Sequence, residues 1–270
     1  MSDYAKTIGE ATKALSPRVA KLDELLEDGR VLRLRSAYNV RELGGYVTRE
    51  GQTQRHRFVR AGSTRSITED DMALLAQWGV TRVADLRSMG ESPQLSCRFA
   101  KRNDVLWENV PLYDYDLSAP TMQPVRNVGG YFVEGYLHML ASHHAIKRLF
   151  DFFAQATPSE CVLFHCAAGM DRTGVVSMLL LGLADVPRRQ IVADYAYSFG
   201  TVSEVDQALD CRGDAYPDEL ITTHLRNRIT IIGTVYDTVV AEHGSVRSYL
   251  ASCGITQETL DAIRAHLLEP

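Results

Sequence analysis

Cys166 sits at the end of an apolar run, Val162-Leu163-Phe164, behind His165 and ahead of three small residues, Ala167, Ala168 and Gly169. Six positions on stands Arg172, followed by Thr173, Gly174 and a helix-like stretch from Val175 to Leu183. A buried strand, a tight loop and a helix N-terminus in direct succession make an anion cradle. The free N–H groups of the first helical turn and the positive end of its dipole point into the loop, and small residues let it close around a tetrahedral oxyanion. Arg172 then offers a planar fork to two of the oxygens. A cysteine at the entrance lies in the same positive field, which favours the thiolate, the nucleophilic form. His165 can orient the loop, and Thr173 can donate a hydroxyl hydrogen bond to sulfur. A cysteine and an arginine six apart are common by chance. The added histidine, glycine, Thr-Gly pair and strand-loop-helix context make a buried thiol with an unrelated surface arginine the poorer reading.

The elements that must hold this loop can be read on either side of it. Val31 to Arg35 and Tyr46 to Thr48 look like strands, with TREGQ as the turn of a hairpin that returns through Arg57 to Arg60. ITEDDMALLAQWG is a capped helix, with Thr68 at the N-cap, acidic residues in the first turn and Gly79 at its end. VTRVADLRS and DVLWENVPL read as strands, the Pro-, Gly- and Asp-rich stretch 113–130 as a long functional loop, and Tyr131 to Ala156 as one long helix. After Pro187 the chain is helical, with breaks near Gly200 and DCRGDAYPDE. Strands alternating with helices and then a helical C-terminal half predict an α/β fold, a central sheet with helices on both faces. Residues 1–29 read as a helical appendage and 30–270 as a single catalytic domain. Within it, 198–228 forms either a helical lid or an ordinary helical hairpin completing the core.

The 270 residues carry a net charge of −5, and of the 29 basic residues five are lysine. That balance argues against a general nucleic-acid or membrane-surface binder, while abundant arginine suits anion contacts at a local site. No apolar stretch approaches the roughly 20 residues that span a bilayer, and the N-terminus lacks a signal-peptide core, so cytoplasmic residence without membrane insertion is the default expectation, with export by a route that needs no signal peptide as the alternative. Five cysteines at irregular spacing make neither a disulfide framework nor a paired metal site. Along an extended strand Cys161 and Cys166 stand roughly 16 Å apart, too far for a disulfide. Cys97, Cys161, Cys211 and Cys253 read as small buried hydrophobes, and His56, His143, His144, His224 and His243 as surface or packing residues.

HCAAGMDRTG resembles the signature loop of cysteine-dependent protein tyrosine phosphatases, and more closely their atypical bacterial branch, whose loop reads HCxxGKDRTG and some of whose members also act on phosphoinositides. NVRELGGY (39–46), RAGS (60–63), GVTRVADLRS (79–88) and GSVRSYL (244–250) strengthen the likeness. It implies a three-layer α/β phosphatase fold without metal or cofactor, a cysteinyl-phosphate intermediate with Cys166 as nucleophile and Arg172 as phosphate clamp, and a phosphate cradle over Cys166, Ala167, Ala168, Gly169, Met170, Asp171, Arg172 and Thr173. A phosphorylated protein, above all a phosphotyrosine protein, is then the expected substrate. The sequence has no Trp-Pro-Asp loop, so the general acid must come from elsewhere: Asp171, which matches the DRTG aspartate, with Asp114 and Asp116 as rivals. Asp85, at the end of its strand, is read either as catalytic or as the buried partner of an arginine. Met170 replaces the branch's lysine and removes a cation, which favours aryl phosphates over polyanionic inositol phosphates. The alternatives are a phosphate-binding pseudophosphatase without turnover, or sulfur-transfer or arsenate chemistry, the last of which would want a second thiol such as Cys211.

Overall fold

The computed structural model describes residues 26–27, 30–88, 91, 97–112, 130–200 and 219–268. Seven strands form one mixed sheet: β1 (Leu26–Glu27), β2 (Val31–Leu32), β3 (Arg41–Glu42), β4 (Phe58–Ala61), β5 (Val80–Asp85), β6 (Leu106–Asn109) and β7 (Cys161–His165). Their spatial order is β1-β2-β3-β4-β7-β5-β6. The first three pairings are antiparallel, while β4, β7, β5 and β6 run parallel. The register sets Ala61, His165, Asp85 and Asn109 side by side at the carboxyl edge of the parallel strands. In open α/β sheets that edge is where ligands collect.

Eight α-helices are described: α1 (Glu69–Gln77), α2 (Gly130–Ala141), α3 (His143–Ala154), α4 (Asp171–Leu183), α5 (Arg188–Ala196), α6 (Glu219–His243), α7 (Val246–Ser252) and α8 (Gln257–Leu267). Alternation along the strands separates two cores. Phe58, Val162 and Phe164 face the larger one, packed with side chains of α2 to α8, while Val59, Val83 and Leu163 face the smaller one under α1. The result is three layers, as expected. Strand β7 is buried throughout, and α4 is apolar on nearly every side because it runs through the middle of the larger core. Phe58, Phe153 and Phe164 meet at ring-centroid distances of 5.4 and 5.8 Å and stiffen the sheet behind the loop.

The N-cap of α1 is as read: the Thr68 side chain accepts from the Asp71 amide. Three expectations are corrected. The helix expected over Tyr131 to Ala156 is two helices broken at Ser142, because the Leu140 carbonyl, which an unbroken helix would commit to its own ladder, accepts instead from the Tyr249 hydroxyl at 2.7 Å. The TREGQ turn forms, with a Val47–Gln52 bridge, yet Arg57 to Arg60 is not its return arm. Phe58–Ala61 pairs with β3 and β7, and the hairpin's far side reaches across to Leu268 through Thr53. Leu26–Glu27, expected in a helix, is strand β1 against β2. The rest of the 1–29 appendage, the loop 113–129 with Asp114 and Asp116, and most of the expected lid, 201–218 with Cys211, lie outside the described residues.

Candidate active site

Strand β7 delivers Cys166 directly into the turn that opens α4, so the loop 166–170 hangs between the sheet edge and a helix N-terminus. The carbonyls of Cys166 to Gly169 are held by groups outside the loop, and that of Met170 opens the helical ladder of α4. The Cys166 carbonyl meets His165 Nδ1 at 3.2 Å, Ala167 O accepts from the Tyr38 hydroxyl at 2.6 Å and the Ser63 amide at 2.9 Å, and Ala168 O accepts from Asn39 Nδ2 at 3.2 Å. Gly169 O accepts from Asn39 Nδ2 at 2.7 Å and Arg60 Nη2 at 2.8 Å, and Met170 O from the Gly174 amide at 2.7 Å. With the carbonyls drawn outward, the opposite edges of these peptides turn inward. The Gly169 amide shows it, donating to Cys166 Sγ at 3.3 Å. The buried sulfur thus meets the Gly169 amide at the N-terminal end of α4, a setting that receives a tetrahedral oxyanion.

Arg172, six positions on, points a bidentate pair at Glu91: Nη1 to Oε2 at 2.5 Å and Nη2 to Oε1 at 2.9 Å. The guanidinium's hydrogen bonds pull the Glu91 carboxyl down to about 2, helped by donors from Ser88. The pair uses two of the five N–H donors of Arg172 and leaves three for another anion. Thr173 is fully buried, and among the described residues its hydroxyl has no hydrogen-bond partner, so it remains a donor inside the loop. Asp171 opens α4; its Oδ1 accepts from the Tyr136 hydroxyl and lies 3.8 Å from Arg228 Nη1.

Asp85 is buried and takes Arg87 in a fork, Nε at 2.9 Å and Nη2 at 2.7 Å, with the Arg87 amide at 3.1 Å. The arginine pairing that the strand-end position allowed is therefore present, and Asp85 lies 3.9 Å from Nε2 of His165, the residue before the loop. Burial pushes the His165 imidazole below its ordinary value, Asp85 opposing, so the ring is neutral and spans Thr64 Oγ1, at 3.2 Å from Nε2, and the Cys166 carbonyl. Asp85, Cys97 and His165 bring one potential metal-ligating atom each within 4.8 Å of one another. Both Asp85 oxygens are already committed to Arg87, whose guanidinium would oppose a dication, so the trio fits neutral hydrogen-bonded packing better than a metal. Burial pushes the Cys97 and Cys161 thiols up and keeps them protonated, in line with their reading as buried hydrophobes.

On the far side of the sheet, Asp194 of α5 accepts from Arg41 Nε at 2.9 Å and from Arg60 Nη1, so the arginine that holds Gly169 is itself held. Burial would raise the Asp194 carboxyl, yet the two guanidiniums outweigh it and the net direction is down. Burial, then Arg41, brings Arg60 down to about 10. Asn39 and Arg60 lie in stretches that the sequence marked, NVRELGGY and RAGS, without revealing their contacts. Glu91, Tyr136, Asp194 and Tyr195 carried no local signal.

The profile of the tyrosine phosphatase family matches residues 32–269, nearly the whole chain. The chain belongs to this family. A tyrosine-protein phosphatase of Nostoc commune is 30% identical over 220 residues, which cover 78% of this chain and 74% of that protein. The triple specificity protein phosphatase PtpB of Mycobacterium tuberculosis is 26% identical, covering 88% of this chain and 99% of its own. The chain is accordingly a phosphatase acting on phosphorylated substrates, and no described helix is long and apolar enough to cross a membrane.

Proposed function

We propose that the single domain from about residue 30 onward hydrolyses aryl phosphate monoesters, phosphotyrosine in proteins above all, through a phosphocysteine on Cys166. The observation that carries this is the cage around the loop: the carbonyls from Cys166 to Gly169 are tied to groups outside it, and the Gly169 amide turns in to reach the Cys166 sulfur. In the first step the Cys166 thiolate attacks phosphorus, the P–O bond to the aryl group breaks, and Asp171 gives its proton to the leaving phenolate. Arg172, the loop amides of 167–171 and the Thr173 hydroxyl hold the phosphoryl oxygens. In the second step water attacks phosphorus, the Asp171 carboxylate takes its proton, the P–S bond breaks and the thiolate returns. Asp85 acts through Arg87, which it holds in a fork with Nη1 3.5 Å from Ser63 Oγ, the residue whose amide binds the Ala167 carbonyl, while the neutral His165 ring is fixed between Thr64 and the Cys166 carbonyl.

Tyr38 favours an aryl substrate. Its ring is 48% exposed while its hydroxyl is tied to the Ala167 carbonyl at the rim of the loop, so it offers a fixed aromatic wall beside the phosphate position. Met170 adds no cation there, which weighs against polyanionic inositol phosphates, although the triple specificity of PtpB supports keeping serine, threonine and lipid phosphates in any substrate panel. A reducing, cytoplasm-like compartment suits a mechanism that depends on a free thiolate. The test is Cys166→Ser with rapid-quench labelling: the wild type should yield a covalently labelled enzyme from an aryl phosphate whose label survives base and is released by iodine, and the variant none, with turnover down by at least about 10⁴-fold. Retained vanadate binding in the variant separates loss of the nucleophile from loss of the cradle. Undiminished turnover would remove Cys166 from the chemistry and leave a binding role for the loop.

A further inference from the structure

Behind Asp171 runs a chain of hydroxyls that the mechanism above does not use. Tyr136 of α2 donates to Asp171 Oδ1, its hydroxyl oxygen lies 2.6 Å from that of Tyr195 on α5, and Tyr195 in turn has a hydrogen bond with Arg228 of α6. Three helices thus converge on one carboxyl group of the catalytic loop. The direction of the bonds follows from counting protons. Tyr136 has a single hydroxyl proton and spends it on the carboxylate, so its oxygen must accept from Tyr195; Tyr195, having spent its own proton, must accept from Arg228, which can only donate. Aligned in one direction, such bonds strengthen one another in a buried setting. Burial, the Asp171 charge and the neighbouring hydroxyls push Tyr136 well above the ordinary phenol range, and burial with the Asp171 charge brings Tyr195 up to about 12, so both stay protonated donors.

Resting on the reading of Asp171 as general acid, we propose that Tyr136 is its positioning residue, holding Oδ1 as a permanent acceptor so that the transferable proton resides on Oδ2, with Tyr195 and Arg228 fixing Tyr136 in that role. The arrangement serves both protonation states. As a carboxylate, Asp171 accepts from Tyr136 at Oδ1; as a carboxylic acid it keeps that bond at its carbonyl oxygen and carries the proton on Oδ2. The acid does not have to re-select its proton-bearing oxygen at each turnover. The same arrangement accounts for the glycine of the DRTG stretch: a Cβ on Gly174 would lie 2.6 Å from Cδ2 of the Tyr195 ring, so any larger residue would push that tyrosine away.

The test compares phenyl phosphate, whose leaving group needs a proton, with 4-nitrophenyl phosphate, which needs little. Tyr136→Phe should lower kcat about tenfold on the first and less than about threefold on the second, the loss expected when one hydrogen bond no longer orients the acid. The alkaline limb of the kcat profile should move to higher pH, because the carboxylate loses a donor. Tyr195→Phe should shift both readouts in the same directions by less. Asp171→Asn is the reference. If Asp171→Asn shows the leaving-group dependence and Tyr136→Phe does not, the positioning role is wrong while the acid stands. If Asp171→Asn slows both substrates equally, the acid assignment falls and the positioning role with it. Equal losses on both substrates with an unmoved limb would make Tyr136 a packing residue. Should Tyr136→Phe fail to fold, Tyr195→Phe, which leaves the Tyr136 contact with Asp171 in place, is judged by the same two readouts.

Discussion

At Gly169 the backbone sits at φ +69°, and a Cβ there would lie 2.6 Å from the Ala61 carbonyl oxygen and 2.6 Å from the Gly62 amide. Neither atom can swing aside, because both belong to the sheet edge and the turn after it. The left-handed conformation alone costs a non-glycine residue about 1 to 2 kcal/mol, and the contact adds to it. Gly169→Ala should therefore cost at least about 2 kcal/mol in urea unfolding and, by lifting the loop off the sheet, reduce kcat/KM by about 10²-fold or more. A variant with full activity and stability would mean the loop closes without that contact. Of the candidate-site residues, those within HCAAGMDRTG were legible as one unit because strand, loop and helix N-terminus follow one another directly in the chain. Glu91, which engages Arg172, was not legible, since a glutamate in a polar stretch has no marker until its partner's position is known.

Helix α5 shows the same limit one level up. Its nine residues, RRQIVADYA, read as an ordinary helix after Pro187, yet its last turn places Asp194 and Tyr195 on two different arms of the loop's support. Asp194 reaches Gly169 through Arg60, and Tyr195 reaches Asp171 through Tyr136. Periodicity registers that an element is buried but not which distant groups its polar residues will meet. The break between α2 and α3 was hidden for a related reason, because it depends on the Tyr249 hydroxyl more than a hundred residues away. Strands β5, β6 and β7 and the three layers were legible, since their apolar runs and flanking turn signals are local, whereas β1, β3 and the pairing of β4 depend on distant partners. Asp194 is 1% exposed between two arginines, so Asp194→Asn leaves buried positive charge without its counterion. The expected cost is about 3 to 5 kcal/mol in denaturant unfolding, with weakened vanadate binding in whatever fraction remains folded. A cost below about 1 kcal/mol would show that Arg60 and Arg41 are held by their other partners and that α5 does not brace the loop.

Across the whole molecule, the C-terminal helix closes the structure: the Leu267 carbonyl accepts from the Gln54 amide at 2.7 Å, and Thr53 bridges to Leu268. Next to Leu267 the His266 ring, 7% exposed, packs edge-on against Phe58 with centroids 5.3 Å apart. Burial, reinforced by the nearby Arg57 guanidinium, brings this imidazole down to about 4, from an ordinary value near 6.5. In the folded protein the ring stays neutral where the unfolded chain already binds a proton. Between those two values the unfolded state holds more protons, so stability must rise with pH there and fall as the solution is acidified from about 6.5 towards 4. His165, lowered in the same direction by burial, adds to the slope, whereas Glu91 and Asp194, whose carboxyls are lowered, lose their stabilising charge only below about pH 4. The effect assigned to His266 is about 2 kcal/mol, allowing for partial access of water to the ring. Urea unfolding at pH 7.0, 6.0 and 5.0 should show this decline in the wild type. His266→Gln, which cannot titrate, should be less stable at pH 7 but lose distinctly less on going to pH 5, so the two curves converge. Parallel curves would place the proton uptake at other residues and leave the docking of α8 indifferent to pH.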